Sequence, residues 1–193
     1  SLFFTSIAAF ILGMGLPPSA SYIIQVVITI PAIYNILQVS DAPAIAENAL
    51  LLSHMFVMYF ASFAVITPPD ALAAFAGASI AKSRPMITAM TATRLAFVAY
   101  FIPFLFVLNP AFLGIGSFSQ IMFAILNGVL GIIALSISFQ GYTQDKLGYL
   151  SRSYFLACGI MMLLPGQITS TVGITLVIPM LIYFLVMKRS NRI

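Results

Sequence analysis

Two short stretches hold the residues with the most chemical potential. The first is GMGLPPSAS at residues 13–21, and the second is ITPP at 66–69. Each interrupts an apolar run with residues that break helices. Proline removes a backbone donor and pushes the residue before it out of helical geometry. A broken helix bares carbonyls at the end of one half and amides at the start of the next. In a bilayer these supply a cation site and an anion site near the midplane. Ser19, Ser21 and Thr67 add hydroxyls beside the breaks. Sodium is satisfied by such hard oxygens, carbonyl and hydroxyl, without a carboxylate. The alternative is that the prolines only kink helices for packing, and both readings stand at this stage.

Asp70 follows the second break directly. A carboxylate there meets the positive end of the next half-helix. It is either a cap at an unwound site or an ion or proton ligand, since intramembrane carboxylates are costly and functional by default. Ser21 and Asp70 are also the candidate substrate-facing positions, although a fixed negative charge at Asp70 would oppose an anionic substrate. His54 lies in an apolar helix with Tyr59 a little over one turn on. With no second histidine, no Cys pair and no acid cluster, it reads as a hydrogen-bonded structural residue and not a metal ligand. Arg94 sits within a span and either snorkels to the headgroups or pairs inside the bundle.

Enzyme templates fail. The sequence has no G-x-S-x-G, no H-E-x-x-H and no phosphate-cradling glycine loop. Ser53, His54 and Asp70 do not make a triad, because adjacent helical residues face different directions. Neither enzymatic chemistry nor direct ATP drive is expected, and no cofactor is called for.

The elements that must position these residues follow from composition. Of 193 residues, 62% are hydrophobic and 6% charged, against about 25% charged in soluble domains. The mean hydropathy is +1.11. This excludes a soluble globular domain, a disordered chain, a nucleic-acid binder and, with Cys158 alone, a disulfide scaffold. The net charge of +4 is ordinary for a membrane protein with basic loops. A full crossing needs about 20 residues, and runs of roughly 10 to 14 suggest half-crossings. Residues 2–37 read as a helical hairpin with its tip at 13–21, a kinked single helix being the alternative. Residues 40–48 read as a loop in which Ser40 or Asp41 caps the next helix, with Pro43 in its first turn. Residues 48–81 read as two half-helices joined at ITPP. The six alanines, Gly77 and Ser79 of residues 71–81 suit close helix packing or a smooth surface in a mobile domain. Residues 86–108 and 119–139 read as full spans, with a turn at 109–117 and a polar loop at 140–152. Residues 154–164 and 168–187 flank Pro165-Gly166 as a helix pair. No strong internal repeat shows.

Residues 1–81 carry Asp41, Glu47 and Asp70 and no Lys or Arg; all eight bases lie in 82–193. Placing Lys82 and Arg84 in the cytoplasm puts Lys146, Arg152, Lys188, Arg189 and Arg192 there too, as the positive-inside rule prefers. Both ends of the hairpin then open outward. The chain begins at Ser1 inside an apolar run and shows no signal-peptide pattern. It is expected to be the C-terminal part of a larger membrane protein, a mature N-terminus being the alternative.

The stretches GMGLPPSASYIIQVVITIPA and SHMFVMYFASFAVITPPDALAAFAGASIA resemble the C-terminal half of the large membrane subunit of TRAP (tripartite ATP-independent periplasmic) transporters. The likeness is greatest to permeases whose small and large subunits are fused. It covers residues 10–108 and fades from 109 onward. The resemblance implies an all-α integral membrane protein with a helical hairpin and a broken helix of an inverted-repeat, elevator-type transporter, followed by additional transmembrane helices. Residues 1–81 would be half of the transport domain, 82–117 a scaffold or connecting helix, and 118–193 extra helices with a basic cytoplasmic tail. The implied activity is sodium-coupled import of organic anions, often carboxylates, across the bacterial inner membrane. The implied partners are a periplasmic solute-binding protein, the N-terminal half and small-subunit helices of the permease, and the lipid bilayer. One sodium site would lie between Gly13, Met14, Gly15, Pro18 and Ser19 of the tip and Ile66, Thr67 and Pro68 of the break. The chain departs from the family where many large subunits carry an acid and two hydroxyl residues. Here those positions are Pro17, Pro18 and Ser19, so backbone carbonyls and Ser19 must carry more of the coordination. Asp70 replaces a usually apolar residue and restores a charge nearby.

Overall fold

The computed structural model describes residues 2–143, 146–164 and 166–182. Lys188, Arg189 and Arg192 of the tail, with Asp145 and Pro165, lie outside the described residues. The chain is all-α, an apolar membrane protein. Its helices are α1 (Leu2–Gly13), α2 (Pro18–Leu37), α3 (Pro43–Ala46), α4 (Ala49–Ala64), α5 (Leu72–Ile80), α6 (Pro85–Leu95), α7 (Ile102–Leu108), α8 (Phe118–Gln140), α9 (Tyr149–Leu163) and α10 (Gln167–Ile182). They fall into two compact units, Ser1–Pro110 and Ala111–Ile193.

In the first unit α4 is the hub. It packs against α1, α2 and α7 and buries Leu52, Phe56, Val57, Phe60, Ala61 and Ala64. Aromatic rings join it to α7, with Phe56 and Phe104 centred 5.2 Å apart and Tyr59 and Phe106 5.7 Å apart. Edge-to-face pairs of this kind add about 0.5–1.5 kcal/mol beyond their burial. α1 and α2 lie side by side around a non-helical stretch at 14–17. α1 has 12 residues, about 18 Å at 1.5 Å per residue, too short to cross a bilayer. α2 is long and apolar enough to cross and presents Ile23, Val27 and Ile28 outward.

Three local readings of the sequence need correction. The 40–48 stretch is not wholly loop, because Pro43 starts the one-turn helix α3, its fixed φ suiting a first helical position. Neither Ser40 nor Asp41 caps α4. Ser40 Oγ accepts from the Ala42 N–H at 3.3 Å, and α4 begins after Asn48 with no side-chain cap. The 86–108 span is not straight. α6 and the following helical stretch bend by 55°, with a 3-10 turn at Phe97–Phe101 leading into α7. Pro103 has no N–H for the Ala99 carbonyl, and the Ile102 N–H bonds to that carbonyl instead. α5 ends with Lys82 in the left-handed region at φ 50°, where the Ser83 N–H closes on the Ala78 carbonyl at 2.9 Å, a geometry that usually selects glycine.

The second unit is built on α8, whose 23 residues suffice for a crossing. Ser117 and Gln120 form a reciprocal capping box at its start, an S-x-x-Q signature inside what reads as a plain turn. α8 and α9 approach closely through glycines. A Cβ on Gly159 would lie 2.7 Å from Leu135 Cγ and 3.1 Å from the Gly131 carbonyl oxygen; one on Gly131 would lie 2.9 Å from Leu163 Cδ2. α9 starts at Tyr149, earlier than the loop reading of 140–152. Its first turn brings Arg152 to the end of α8, where Nε donates to the Ser138 carbonyl at 3.0 Å and Nη2 to Phe139 at 3.4 Å. Ser138 Oγ returns a 2.7 Å bond to the Arg152 carbonyl. α10 packs back on α9, where Tyr154 donates to the Leu176 carbonyl at 2.8 Å.

Candidate functional site

The tip of the α1–α2 pair is set by its glycines and prolines. α1 ends at Gly13, and the Met14 N–H closes on Ile11 at 3.2 Å. Gly15 takes φ 76°, where a side chain would be strained. Pro18 opens α2, the position where its missing N–H costs least. A Cβ on Gly13 would stand 3.1 Å from Ala64 Cβ, 3.3 Å from Ser21 Oγ and 3.6 Å from Ala61 Cα. Gly13 therefore lets the tip sit against the end of α4, beside the second break.

That break runs from Val65 to Ala71. The Thr67 N–H bonds to Ala64 at 3.2 Å, the Ala71 N–H to Thr67 at 3.1 Å and the Ala73 N–H to Val65 at 3.0 Å. Pro68 and Pro69 contribute no donors and are joined by a cis peptide bond. Thr93 Oγ donates to the Ile66 carbonyl at 3.4 Å. Thr67 is buried; its hydroxyl donates to the Phe63 carbonyl at 2.9 Å and is in close contact with the Tyr100 hydroxyl.

Asp70 closes the gap between the two stretches. A Cβ on Gly15 would lie 3.3 Å from Asp70 Oδ2 and 3.8 Å from its Cγ. The carboxylate thus faces the tip. It is not a helix cap, for α5 begins after Ala71 with no side-chain cap. Ser21 is fully buried and accepts from Gln25 Nε2 at 2.9 Å. Ser19 and Pro18, by contrast, are exposed at the start of α2, and Met14, Ile66 and Pro68 are partly buried.

Among the described residues, no group of three or more His, Cys, Asp or Glu side chains could hold a metal ion. His54 Nδ1 hydrogen-bonds the Tyr22 hydroxyl at 2.7 Å, a structural role of the kind its isolation suggested. Tyr59, which sequence places near His54, instead stacks on Phe63 with ring centroids 4.9 Å apart. Arg94 lies exposed in the last turn of α6. Sequence reasoning missed Tyr100, Thr93 and Gln25. Tyr100 and Gln25 were visible as polar side chains within apolar runs.

The family model described as the tripartite ATP-independent periplasmic transporter, DctM component, matches residues 1–121. This chain belongs to that family. The match takes in the tip, the break and the whole of the first unit, so the paired breaks of this DctM chain lie within the family region. No curated protein and no solved structure matches the chain. As a TRAP transporter component, it belongs to a membrane transport system that also contains a periplasmic binding protein and other subunits.

Proposed function

We propose that this DctM chain forms part of a sodium-coupled secondary transporter. It imports organic anions, carboxylates in the main, that a periplasmic solute-binding protein hands over, and it works by alternating access in the bacterial inner membrane. The observation that carries this reading is the Asp70 carboxylate against Gly15 of the tip. The C-terminal ends of α1 and α4 both come to this region and favour a cation there. Carbonyls at Gly13, Met14, Gly15, Ile66, Thr67 and Pro68 are the backbone ligands of the proposed sodium site, with Pro18 and Ser19 bounding it on the α2 side. Asp70 supplies the charge that Pro17, Pro18 and Ser19 lack.

Magnitudes favour a cation partner over a bare cap. An Asp near the centre of a bilayer-spanning helix costs about 2.5–3.5 kcal/mol. A helix N-terminus returns about 0.3–1 kcal/mol to a nearby anion. The helix end alone leaves most of that cost standing, whereas a bound sodium would offset it. Once sodium neutralises Asp70, the N-terminal ends of α2 and α5 favour an anionic substrate, with Ser21 and Asp70 the proposed substrate-side positions.

The test is uptake into proteoliposomes by the intact permease with its binding protein under an imposed sodium gradient. Uptake that follows the gradient supports the coupling. Uptake that ignores it rejects the coupling and leaves the rival, a passive channel or structural subunit, in which the breaks only shape the packing.

A further inference from the structure

The bent span of α6 and α7 reaches the second break with two hydroxyls. Thr93 lies in the last turn of α6, and Tyr100 lies in the 3-10 turn at Phe97–Phe101. Thr93 Oγ1 stands 3.0 Å from the Ala89 carbonyl of its own helix and 3.4 Å from the Ile66 carbonyl of the break. The Tyr100 hydroxyl meets Thr67 Oγ1 and is partnered by Thr93 as well. Two successive residues of the break, Ile66 and Thr67, are thus held from one span. Pro68 and Pro69 bring no N–H to the break, so side-chain hydroxyls carry part of the holding.

Counting protons gives the direction of the central bond. A threonine hydroxyl has one proton, and Thr67 gives its own to the Phe63 carbonyl at 2.9 Å. Towards Tyr100 the Thr67 oxygen can therefore only accept, and the Tyr100 O–H is the donor. Thr67 Oγ1 is left with one lone pair, its proton turned onto the last turn of α4. An oxygen in that state accepts a hard cation without giving up a bond.

The Tyr100 ring fixes where its hydroxyl sits. It packs edge-on against Phe10 of α1, ring centroids 6.0 Å apart, and against Phe63 of α4 at 5.3 Å. Phe10 is in the last turn of α1, which ends at Gly13 of the tip. One side chain therefore touches the helix that carries the tip, the helix that leads into the break, and the break itself.

We propose that Tyr100 is a positioning residue for cation binding at the break: its hydroxyl holds the Thr67 oxygen in a cation-accepting state, and its ring ties that oxygen to α1. The proposal rests on the reading of the chain as a sodium-coupled carrier and adds a residue from outside the tip and break. The test is equilibrium binding of radioactive sodium to the intact, purified permease, with choline holding ionic strength constant. Tyr100→Phe keeps the ring contacts and loses the hydroxyl. It should raise the sodium concentration for half-saturation about two- to tenfold, with the number of bound ions per folded molecule unchanged. In a Thr67→Ala background the same substitution should add little, because Tyr100 acts through Thr67. A purely structural hydroxyl would lower the number of binding-competent molecules and leave their affinity as in the parent; that result overturns the proposal. So does an affinity loss that adds in full to that of Thr67→Ala. If Asp70→Asn weakens binding while Tyr100→Phe binds as the parent does, the role of Tyr100 falls and the proposed sodium site stands. If the parent binds no sodium at all, the two fall together.

Discussion

Asp70 and Gly15 face each other across the gap between two helix breaks, the carboxylate 3.3 Å from where a Gly15 Cβ would stand. The contact joins residues far apart in sequence and puts the negative charge of the break on the tip. It also makes the two halves of the proposed site a single place.

Asp70→Asn is expected to raise the sodium concentration for half-maximal uptake about tenfold, equivalent to about 1.4 kcal/mol. A sodium titration in proteoliposomes measures it. If Asp70 carries a proton instead, the Asn variant loses its response to an imposed pH gradient and keeps its sodium curve.

Thr67→Ala and Ser19→Ala should both raise the sodium requirement, and Thr67→Ala should do so more. Thr67 is buried against Tyr100, while Ser19 is exposed. Removing the Thr67 hydroxyl also takes from the Tyr100 hydroxyl one of its two side-chain partners, the other being Thr93, at a cost of about 0.5–1.5 kcal/mol. Tyr100→Phe separates the effects. The Thr67→Ala, Tyr100→Phe double variant lacks both ends of the bond, so in thermal unfolding it should lose less stability than the two single variants summed. Equal sodium curves for the parent and both single hydroxyl variants would remove hydroxyls from the site.

Gly159→Val should separate α8 from α9. Even a Cβ at this position would lie 2.7 Å from Leu135 Cγ and 3.1 Å from the Gly131 carbonyl oxygen. Overpacking of this kind costs about 1–3 kcal/mol. Because Leu135 is a flexible side chain and the Gly131 carbonyl is not, Leu135→Ala should rescue Gly159→Val only in part. Unfolding temperature in detergent is the measurement.

Arg152→Ala should lower stability by about 1.5–3 kcal/mol through lost charge-assisted bonds to the Ser138 and Phe139 carbonyls. Arg152→Lys keeps the charge near the end of α8 but not the planar fork, and should fall between the two. If charge placement in the loop were all that mattered, Lys would match Arg.

What was legible in the sequence was what local chemistry decides. Pro17, Pro18, Pro68 and Pro69 announce their breaks because each removes a donor at its own position. Pro103 did the same inside the 86–108 run but was hidden by its uniformly apolar neighbours, and the bend there went unread. Ser40 and Asp41 were reasonable caps by type, yet Pro43 started its own turn first. The contacts that build the site depend on packing between distant segments. The pairing of Thr67 with Tyr100, the burial of Gln25 and the approach of Asp70 to Gly15 have no local signature. The placement of Ser21 beside Gly13 follows from the hairpin only once the tip is seen to rest on Ala64.

The Tyr22–His54 bond, 2.7 Å long, has a mechanical meaning. Tyr22 is in the second turn of α2, and His54 is six residues into α4, well back from its broken end. The bond is therefore a diagonal brace. Swinging the tip away from α4 would part the brace and leave two polar groups bare in an apolar surround, at about 1–3 kcal/mol for each. Displacement that keeps the brace whole costs nothing there. The bond thus ties the hairpin to α4 at a second point, away from the tip, and resists parting one from the other there.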